Sequence, residues 1–172
     1  MKVVLDKMKS EDANLIAKWK SNPVLSGQIM SDFNTTTVEQ ARDWININTN
    51  DPNQRLLGIY FEIESKKVLL GVARLMFIDF VTRIAEFGIY IGDNNYRNMG
   101  VGKEALDRTL EIGFIELNLN KIFLKVNAQN TPAINLYKSR KFIIEGRLKE
   151  HYWNVSQFDD VLYMAIFKVN YL

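Results

Sequence analysis

The segment from residue 84 to residue 128 constrains the fold more than any other part of the chain, because it alternates between strand and helix patterns. The apolar run IAEFGIYIG (84–92) is strand-like, and KIFLKVNA (121–128) is a second strand-like run. Between them, apolar residues recur over 106–117 at the spacing of a helix with one buried stripe. Two strands joined through a helix need a crossover connection. The spacing therefore predicts a parallel pair inside the sheet.

The other strand-like segments are joined by short connections, which predict antiparallel pairing. Seven segments have strand character: 2–5, 56–63, 68–78, 84–92, 121–128, 142–153 and 160–169. Helices are predicted at 11–20, at 38–48 with Thr36 or Thr37 as the cap, from the glycine loop to 117, and at 132–139, whereas the stretch from Pro23 to Asn34 is predicted to be a loop. We therefore predict an α/β (α+β) fold in a single domain, 1–172, with a mixed, mostly antiparallel sheet flanked by helices.

The composition excludes several classes of chemistry. The chain has no cysteine and one histidine, His151, so thiolate chemistry and a histidine-rich metal site are excluded and no metal is expected. Twenty-two basic and 20 acidic residues leave a net charge of +2, which does not favour nucleic acid as a partner. No stretch approaches the roughly 20 apolar residues of a membrane helix, and the N-terminus lacks a signal-peptide core. We expect no membrane association and a cytoplasmic location.

The glycine loop YRNMGVGKEAL (96–106) joins the predicted strand at 84–92 to the helix that follows. A helix N-terminus presents unpaired N–H groups and a partial positive charge, which favour phosphate. Gly100 and Gly102 allow the backbone to approach a ligand closely, and Arg97 and Lys103 flank the turn as positive charges. The motif alone is equally compatible with an ordinary strand-to-helix turn, and it is neither a Walker loop nor a dinucleotide fingerprint.

A second motif follows the next strand, in NAQNTPAINLYKSRKF (127–142). The loop pattern R-x-x-G-x-G and the later pattern N-x-x-A-x-x-L-Y, which ends at Tyr137, together resemble the GCN5-related N-acetyltransferase (GNAT) family. The stretches AEFGIYI, LNLNKIFLKV and AIFKVNYL are similar to its RimJ/RimL-type branch and to spermidine N-acetyltransferases. The resemblance implies the GNAT acyl-CoA N-acyltransferase fold and an acetyl-CoA-dependent N-acetyltransferase.

The resemblance also implies which residues bind acetyl-CoA. In the family, the glycine loop binds the pyrophosphate through backbone amides. The end of the preceding strand faces the acetyl group, and the asparagine of the later motif hydrogen-bonds the pantetheine arm. Carried onto this sequence, the expected cofactor-binding residues are Ile89, Tyr90, Ile91, Arg97, Asn98, Met99, Gly100, Val101, Gly102, Lys103, Asn130 and Tyr137.

Acetyl transfer needs a neutral amine and a protonated leaving thiolate. By resemblance, Tyr137 is the acid that protonates the thiolate, and the alternative is a tyrosine that only packs on a helix face. Glu86 is the candidate base, since it begins the strand that leads to the acetyl site. The alternatives are a water chain as the route for the proton, or a Glu86 that simply faces solvent or is paired with Arg74 or Arg83.

The acceptor is expected to be a small amine: a polyamine, an amino sugar or an antibiotic. A protein N-terminus is the alternative acceptor, and a non-catalytic acyl-CoA-binding sensor is the alternative function. Asp32, Glu39 and His151 are the expected substrate-binding residues, from the segments that line the acceptor side in relatives. A polyamine would need several clustered acids, and the segment SDFNTT contains only Asp32. A homo-oligomer is compatible with the sequence, which does not specify a subunit number.

The chain departs from the family at one turn. Family members commonly have glycine in the pattern L-Y-x-x-x-G-F, where this chain reads LYKSRKF with Lys141 at the glycine position. If the backbone there is left-handed, a non-glycine residue costs on the order of 1 kcal/mol.

Overall fold

The computed structural model describes residues 2–28, 30, 36–63, 66–96, 99–154 and 156–172. Within these ranges the strands are β1 (Lys2–Lys7), β2 (Arg55–Ile63), β3 (Lys66–Asp79), β4 (Ile84–Ile91), β5 (Lys121–Asn127), β6 (Ile143–Asn154) and β7 (Gln157–Phe167). The helices are α1 (Ala13–Lys20), α2 (Pro23–Gln28), α3 (Val38–Asn50), α4 (Val101–Glu111), α5 (Thr131–Ser139) and α6 (Lys168–Tyr171). Helix α4 continues into a π-helical turn, Ile112–Glu116. Among these described helices none is long and apolar enough to cross a membrane.

The strands form one sheet in the order β1-β2-β3-β4-β5-β7-β6. Every neighbouring pair is antiparallel except β4 and β5, which are parallel, as the crossover through α4 predicted. Their pairing covers three residues of each strand, 84–86 opposite 121–123. Beyond Glu86, β4 stays paired with β3 as far as Ile91 but no longer pairs with β5. The two strands therefore diverge and leave a gap in the middle of the sheet.

Helices α1–α3 cover one face of the sheet, where Val72 of β3 packs with Ile16 of α1, Leu25 of α2 and Ile45 of α3. Helix α3 begins as predicted, because the Thr37 hydroxyl accepts a hydrogen bond from the Gln40 backbone N–H at 3.1 Å.

The prediction of a loop after Pro23 was wrong, because α2 begins there. The Asn22 side chain caps this helix by accepting from the Val24 N–H at 3.0 Å. Pro23 occupies the first position, where its missing N–H removes no helical hydrogen bond.

Helices α4 and α5 cover the opposite face of the sheet. Side chains alternate across a strand, so Leu75 of β3 points to the face opposite that of Val72 and packs with α4 and α5. Leu106, Leu110 and Phe114 are buried there with Leu75, which confirms the predicted apolar stripe. The predicted last strand ends earlier than expected, at Phe167. The chain then turns into α6, which brings Tyr171 onto Phe114 with the ring centres 5.0 Å apart.

Lys141, which stands where the family commonly has glycine, has a left-handed backbone with a φ of 63°. Because a side chain is strained in this region and glycine is not, Lys141→Gly is expected to be about 1 kcal/mol more stable than Lys141→Ala. The alanine variant is the matched control, since both lose the hydrogen bond from Lys141 Nζ to the Asn170 carbonyl. Chemical denaturation of the two variants measures the difference, and equal stability would show that the turn is unstrained.

Candidate active site

The gap between β4 and β5 opens into a cleft of about 840 Å³. Its walls come from β3, β4 and β5, from α1 and α3 on one face, and from the starts of α4 and α5 on the other. The sequence-predicted residues that line it are Glu86, Ile89, Tyr90, Ile91, Gly100, Gly102, Lys103, Asn130 and Tyr137. The divergence of two parallel strands thus brings the two sequence motifs to the walls of one cavity.

The start of α4 forms one wall of this cleft. Gly100 precedes the helix with a left-handed φ of 81°, and no side chain caps the first turn. Among the residues that the structure describes, a Cβ added at Gly100 would meet nothing within 4 Å, and one at Gly102 would have Leu136 Cδ2, at 3.9 Å, as its nearest neighbour. Packing within the protein therefore does not require glycine at Gly102. The unfilled space beside unpaired helix N–H groups fits a phosphate-bearing ligand.

The start of α5 supplies Asn130 and, two turns later, Tyr137. The Asn130 side-chain oxygen accepts a hydrogen bond from the Ala133 N–H at 3.3 Å, so this residue caps the helix while it lines the cleft. The Tyr137 side chain is 7% exposed and meets Phe87 edge to face, with ring centres 6.3 Å apart. Burial raises the pKa of Tyr137 to about 12. The phenol is therefore protonated at neutral pH and can act as a proton donor.

Glu86 lies where the two strands separate, with Oε2 3.4 Å from Lys125 Nζ. Within the described residues Glu86 forms no ion pair with Arg74 or Arg83, although burial lowers the pKa of Arg74 and the charge of Glu86 opposes that effect. Strand β5 runs beside β4 at this point, with Phe123 directly opposite Glu86. Lys125 is two residues further along β5 and so lies on the same face. Burial lowers the pKa of Lys125, but Glu86 and Tyr163 raise it by more, and it ends above its ordinary value.

On the α1–α3 side, the cleft has cationic residues that the sequence motifs did not indicate. Lys20 Nζ lies 4.0 Å from the centre of the Trp44 ring, and Arg74 Cζ lies 5.5 Å from it. Burial, and secondly the charge of Arg74, lower the pKa of Lys20 to about 8. One signal was available in the sequence: Arg74 interrupts the apolar run VLLGVARLMFI at a position that shares a face with Val72.

Comparison with known proteins identifies the family. Residues 2–142 match the family described as Acetyltransferase (GNAT) domain. The chain belongs to the GNAT acetyltransferase family. This GNAT protein is accordingly an N-acetyltransferase that uses acetyl-CoA as its co-substrate, as the sequence motifs indicated, rather than a non-catalytic sensor.

Relatives of this GNAT acetyltransferase include an uncharacterised N-acetyltransferase, p20, of Bacillus licheniformis, 32% identical over 99% of this chain and 95% of the relative. The spermidine N(1)-acetyltransferase of Vibrio cholerae is 34% identical over 63% of this chain and 62% of that enzyme. Among solved structures, a Vibrio cholerae spermidine N-acetyltransferase in complex with CoA and spermine superposes with a TM-score of 0.90. It is 25% identical in sequence, and the match covers 98% of this chain and 97% of that one.

Several residues predicted for the GNAT site do not line the cleft. The Val101 side chain is buried in the core, and the Met99 side chain, within the glycine loop, is exposed. Glu39 lies in the first turn of α3, on the side of the helix away from its buried residues, and His151 lies on β6, the edge strand furthest from β4 on that side. Three further predicted residues lie outside the described ranges: Asp32, Arg97 and Asn98.

Two of the basic residues that follow Tyr137, Arg140 and Lys141, are engaged elsewhere in the GNAT fold. Arg140 forms a two-pronged ion pair with Asp107 of α4, in which Nη2 donates to Oδ2 at 2.9 Å. Lys141 donates to the Asn170 carbonyl. The described residues also contain no group of three acidic or histidine side chains that could hold a metal ion.

Proposed function

We propose that the cleft between β4 and β5 is where this GNAT acetyltransferase moves an acetyl group directly from acetyl-CoA to a small primary amine. The observation that carries the proposal is the meeting of Tyr137 and the uncapped start of α4 on the walls of one cleft. We treat residues 1–172 as one catalytic domain, since strands from both ends of the chain join the same sheet. Acetyl-CoA as co-substrate favours the cytoplasm as the compartment.

The cofactor-binding residues proposed from the sequence divide into three groups. The glycine loop and first turn of α4 hold the pyrophosphate: Arg97, Asn98, Met99, Gly100, Val101, Gly102 and Lys103. Val101 would act through its backbone N–H, because its side chain is in the core. The backbone of Ile89, Tyr90 and Ile91 faces the acetyl end, supported by the loss of β5 pairing there. Asn130 contacts the pantetheine arm.

Glu86 and Tyr137 are proposed as the proton acceptor and donor. Acetyl-CoA supplies a thioester whose carbonyl carbon is attacked by an amine. A carbon–nitrogen bond forms and the carbon–sulfur bond breaks. Glu86 receives the proton that the amine loses, directly or through water, and the Tyr137 phenol gives a proton to the departing sulfur. The pKa of Tyr137, about 12, is compatible with this assignment because the phenol carries its proton at neutral pH.

The relatives named for spermidine acetylation support a small primary amine as the acceptor. We propose from its sequence position alone that Asp32 binds the acceptor. Glu39 and His151 would have to act from outside the cleft wall, so we assign neither of them a contact with the reacting amine. The proposal includes assembly into a homo-oligomer and does not specify the number of subunits.

A free-thiol assay with acetyl-CoA tests the proposal. We expect thiol release that depends on an added primary amine, with the N-acetylated amine as the matching product by mass spectrometry. The panel should include butylamine, spermidine, amino acids, amino sugars, aminoglycosides and peptides with free N-termini. Tight CoA binding without thiol release from any of these amines would contradict the proposed function.

A further inference from the structure

The turn between β5 and α5 carries Asn130, which we assign to the pantetheine arm. Asn130 lines the cleft, and its backbone N–H donates to the Asn127 carbonyl at 2.9 Å. The Asn127 side-chain oxygen accepts a hydrogen bond from the Gln129 N–H at 2.8 Å. Both hydrogen bonds tie the turn to Asn127, the last residue of β5. A group that fixes Asn127 therefore also fixes the backbone beside Asn130.

Asp159 of β7 holds the side chains of this turn. It is 2% exposed, and its carboxylate accepts hydrogen bonds from four amide side chains. Oδ2 accepts from Asn127 Nδ2 at 2.7 Å and from Asn154 Nδ2 at 2.8 Å. Oδ1 accepts from Gln129 Nε2 at 2.9 Å and from Gln157 Nε2 at 2.7 Å. Each oxygen therefore joins one residue of the turn to one residue of the β6–β7 hairpin.

A carboxylate suits this position because of its hydrogen-bonding capacity. When ionised it can accept about four hydrogen bonds, and it has no N–H of its own to face the amide donors. Hydrogen bonds from Asn127 and Asn154 hold the pKa of Asp159 below its ordinary value, although burial opposes them. The group is therefore charged at neutral pH. Hydrogen bonds to a charged acceptor are stronger than those between neutral groups, so the turn is held firmly.

The network reaches the cleft through the backbone and not by direct contact. Within the described part of the chain neither Asp159 nor its four amide partners line the cleft, whereas Asn130 directly follows one of those partners. Tyr137, two turns further along α5, is fixed separately, because its ring packs against Phe87 and Phe142. Loss of the Asp159 contacts should therefore displace Asn130 more than Tyr137.

We propose that Asp159 is a positioning residue for acetyl-CoA, which holds Asn127 and Gln129 so that Asn130 meets the pantetheine arm. This inference rests on the proposed function, and it extends the cofactor site to a strand that neither sequence motif includes. Its consequence is specific. The affinity for acetyl-CoA should depend on Asp159, whereas turnover at saturating acetyl-CoA should depend on it much less, since Tyr137 stays in place.

Two double variants test the proposal, and each removes one donor from each Asp159 oxygen. The turn variant combines Asn127→Ala with Gln129→Ala, and the hairpin variant, its matched control, combines Asn154→Ala with Gln157→Ala. We expect the turn variant to raise KM and the dissociation constant for acetyl-CoA about fivefold or more, with kcat changed less than about threefold. The hairpin variant should change each of these quantities less than about twofold.

Asp159→Ala should reproduce the effect of the turn variant. It leaves the hydrogen bond between Asn127 and Gln129 in place, so it separates the carboxylate from the turn's own contact. Calorimetry with 3′-phospho-ADP, which is CoA without its pantetheine arm, provides a second control. Its dissociation constant should be the same in every variant, because the glycine loop is unchanged. If Asp159→Ala does not fold, the two double variants carry the test.

Equal losses of melting temperature in both double variants, with unchanged affinity for acetyl-CoA, would overturn the inference, since Asp159 would then only stabilise the fold. Equal weakening of acetyl-CoA binding in both would also overturn it, and so would weaker binding of 3′-phospho-ADP to the turn variant. Thiol release from no amine by the wild-type protein would instead contradict the proposed function, because the calorimetric comparison does not depend on turnover.

Discussion

Replacement of Tyr137 by phenylalanine is expected to lower kcat about 10²- to 10⁴-fold, the usual range for the loss of a general acid. The change removes one oxygen and keeps the ring, which packs against Phe87 and Phe142. The melting temperature should therefore change little. The dissociation constant for acetyl-CoA should change much less than kcat, because the sulfur acquires negative charge only as the thioester bond breaks.

Steady-state kinetics and calorimetric binding of acetyl-CoA separate the two effects. Tyr171→Phe is the matched control, because it removes a phenol from a tyrosine that packs on Phe114 outside the cleft. A Tyr137→Phe enzyme with near-normal kcat would show that another group protonates the thiolate. A parallel loss of kcat and acetyl-CoA affinity would indicate that the hydroxyl contributes to binding in the ground state instead.

A Gly102→Val substitution is expected to raise the dissociation constant for acetyl-CoA at least tenfold, or about 1.4 kcal/mol. Gly102 lies in the first turn of α4, and within the described part of the chain a Cβ there would contact only Leu136, at 3.9 Å. The added side chain would occupy the space beside the helix N–H groups that we assign to phosphate. Gly100 is a poorer test, because its φ of 81° would strain any side chain whether or not a ligand binds.

Gly146→Val on β6 is the matched control, since a Cβ there also meets nothing within 4 Å and Gly146 does not line the cleft. Binding of acetyl-CoA and of CoA, measured by calorimetry, should weaken in the Gly102 variant alone. A folded Gly102→Val protein with unchanged affinity would mean that the pyrophosphate binds elsewhere, and the assignment of the glycine loop would have to be abandoned.

The topology of the sheet could be predicted from the sequence because it follows from local patterns and one geometric rule. A helical stripe between two strand-like runs requires a crossover, so the parallel pair of β4 and β5 was already specified by residues 84–128. The sequence does not predict helix α2, because Pro23 is equally typical of the end of α1. In the structure the Asn22 side chain caps a new helix that begins at Pro23. Proline terminates or begins a helix depending on the residue before it.

The acceptor side of the site was harder to predict than the cofactor side. The glycine loop and the start of α5 are continuous motifs, so their residues can be read from short stretches of sequence. Lys20, Trp44 and Arg74 come from α1, α3 and β3 and meet only after the helices pack on the sheet. Their separation along the chain hides the cluster, and the one signal in the sequence is Arg74, which interrupts an apolar run on the face that it shares with Val72.

The short junction between β4 and β5 determines how much of β4 is held on both of its edges. Strands β1–β4 form one half of the sheet and β5, β7 and β6 form the other, and three residue pairs near Ile84 join the two halves. Beyond these pairs, β4 and β5 continue side by side without pairing as far as Ile91 and the end of β5. Glu86 is therefore held by strand pairing on both sides, whereas the backbone of Ile89 and Tyr90 pairs, among the described strands, with β3 alone and leaves its other edge open to the cleft.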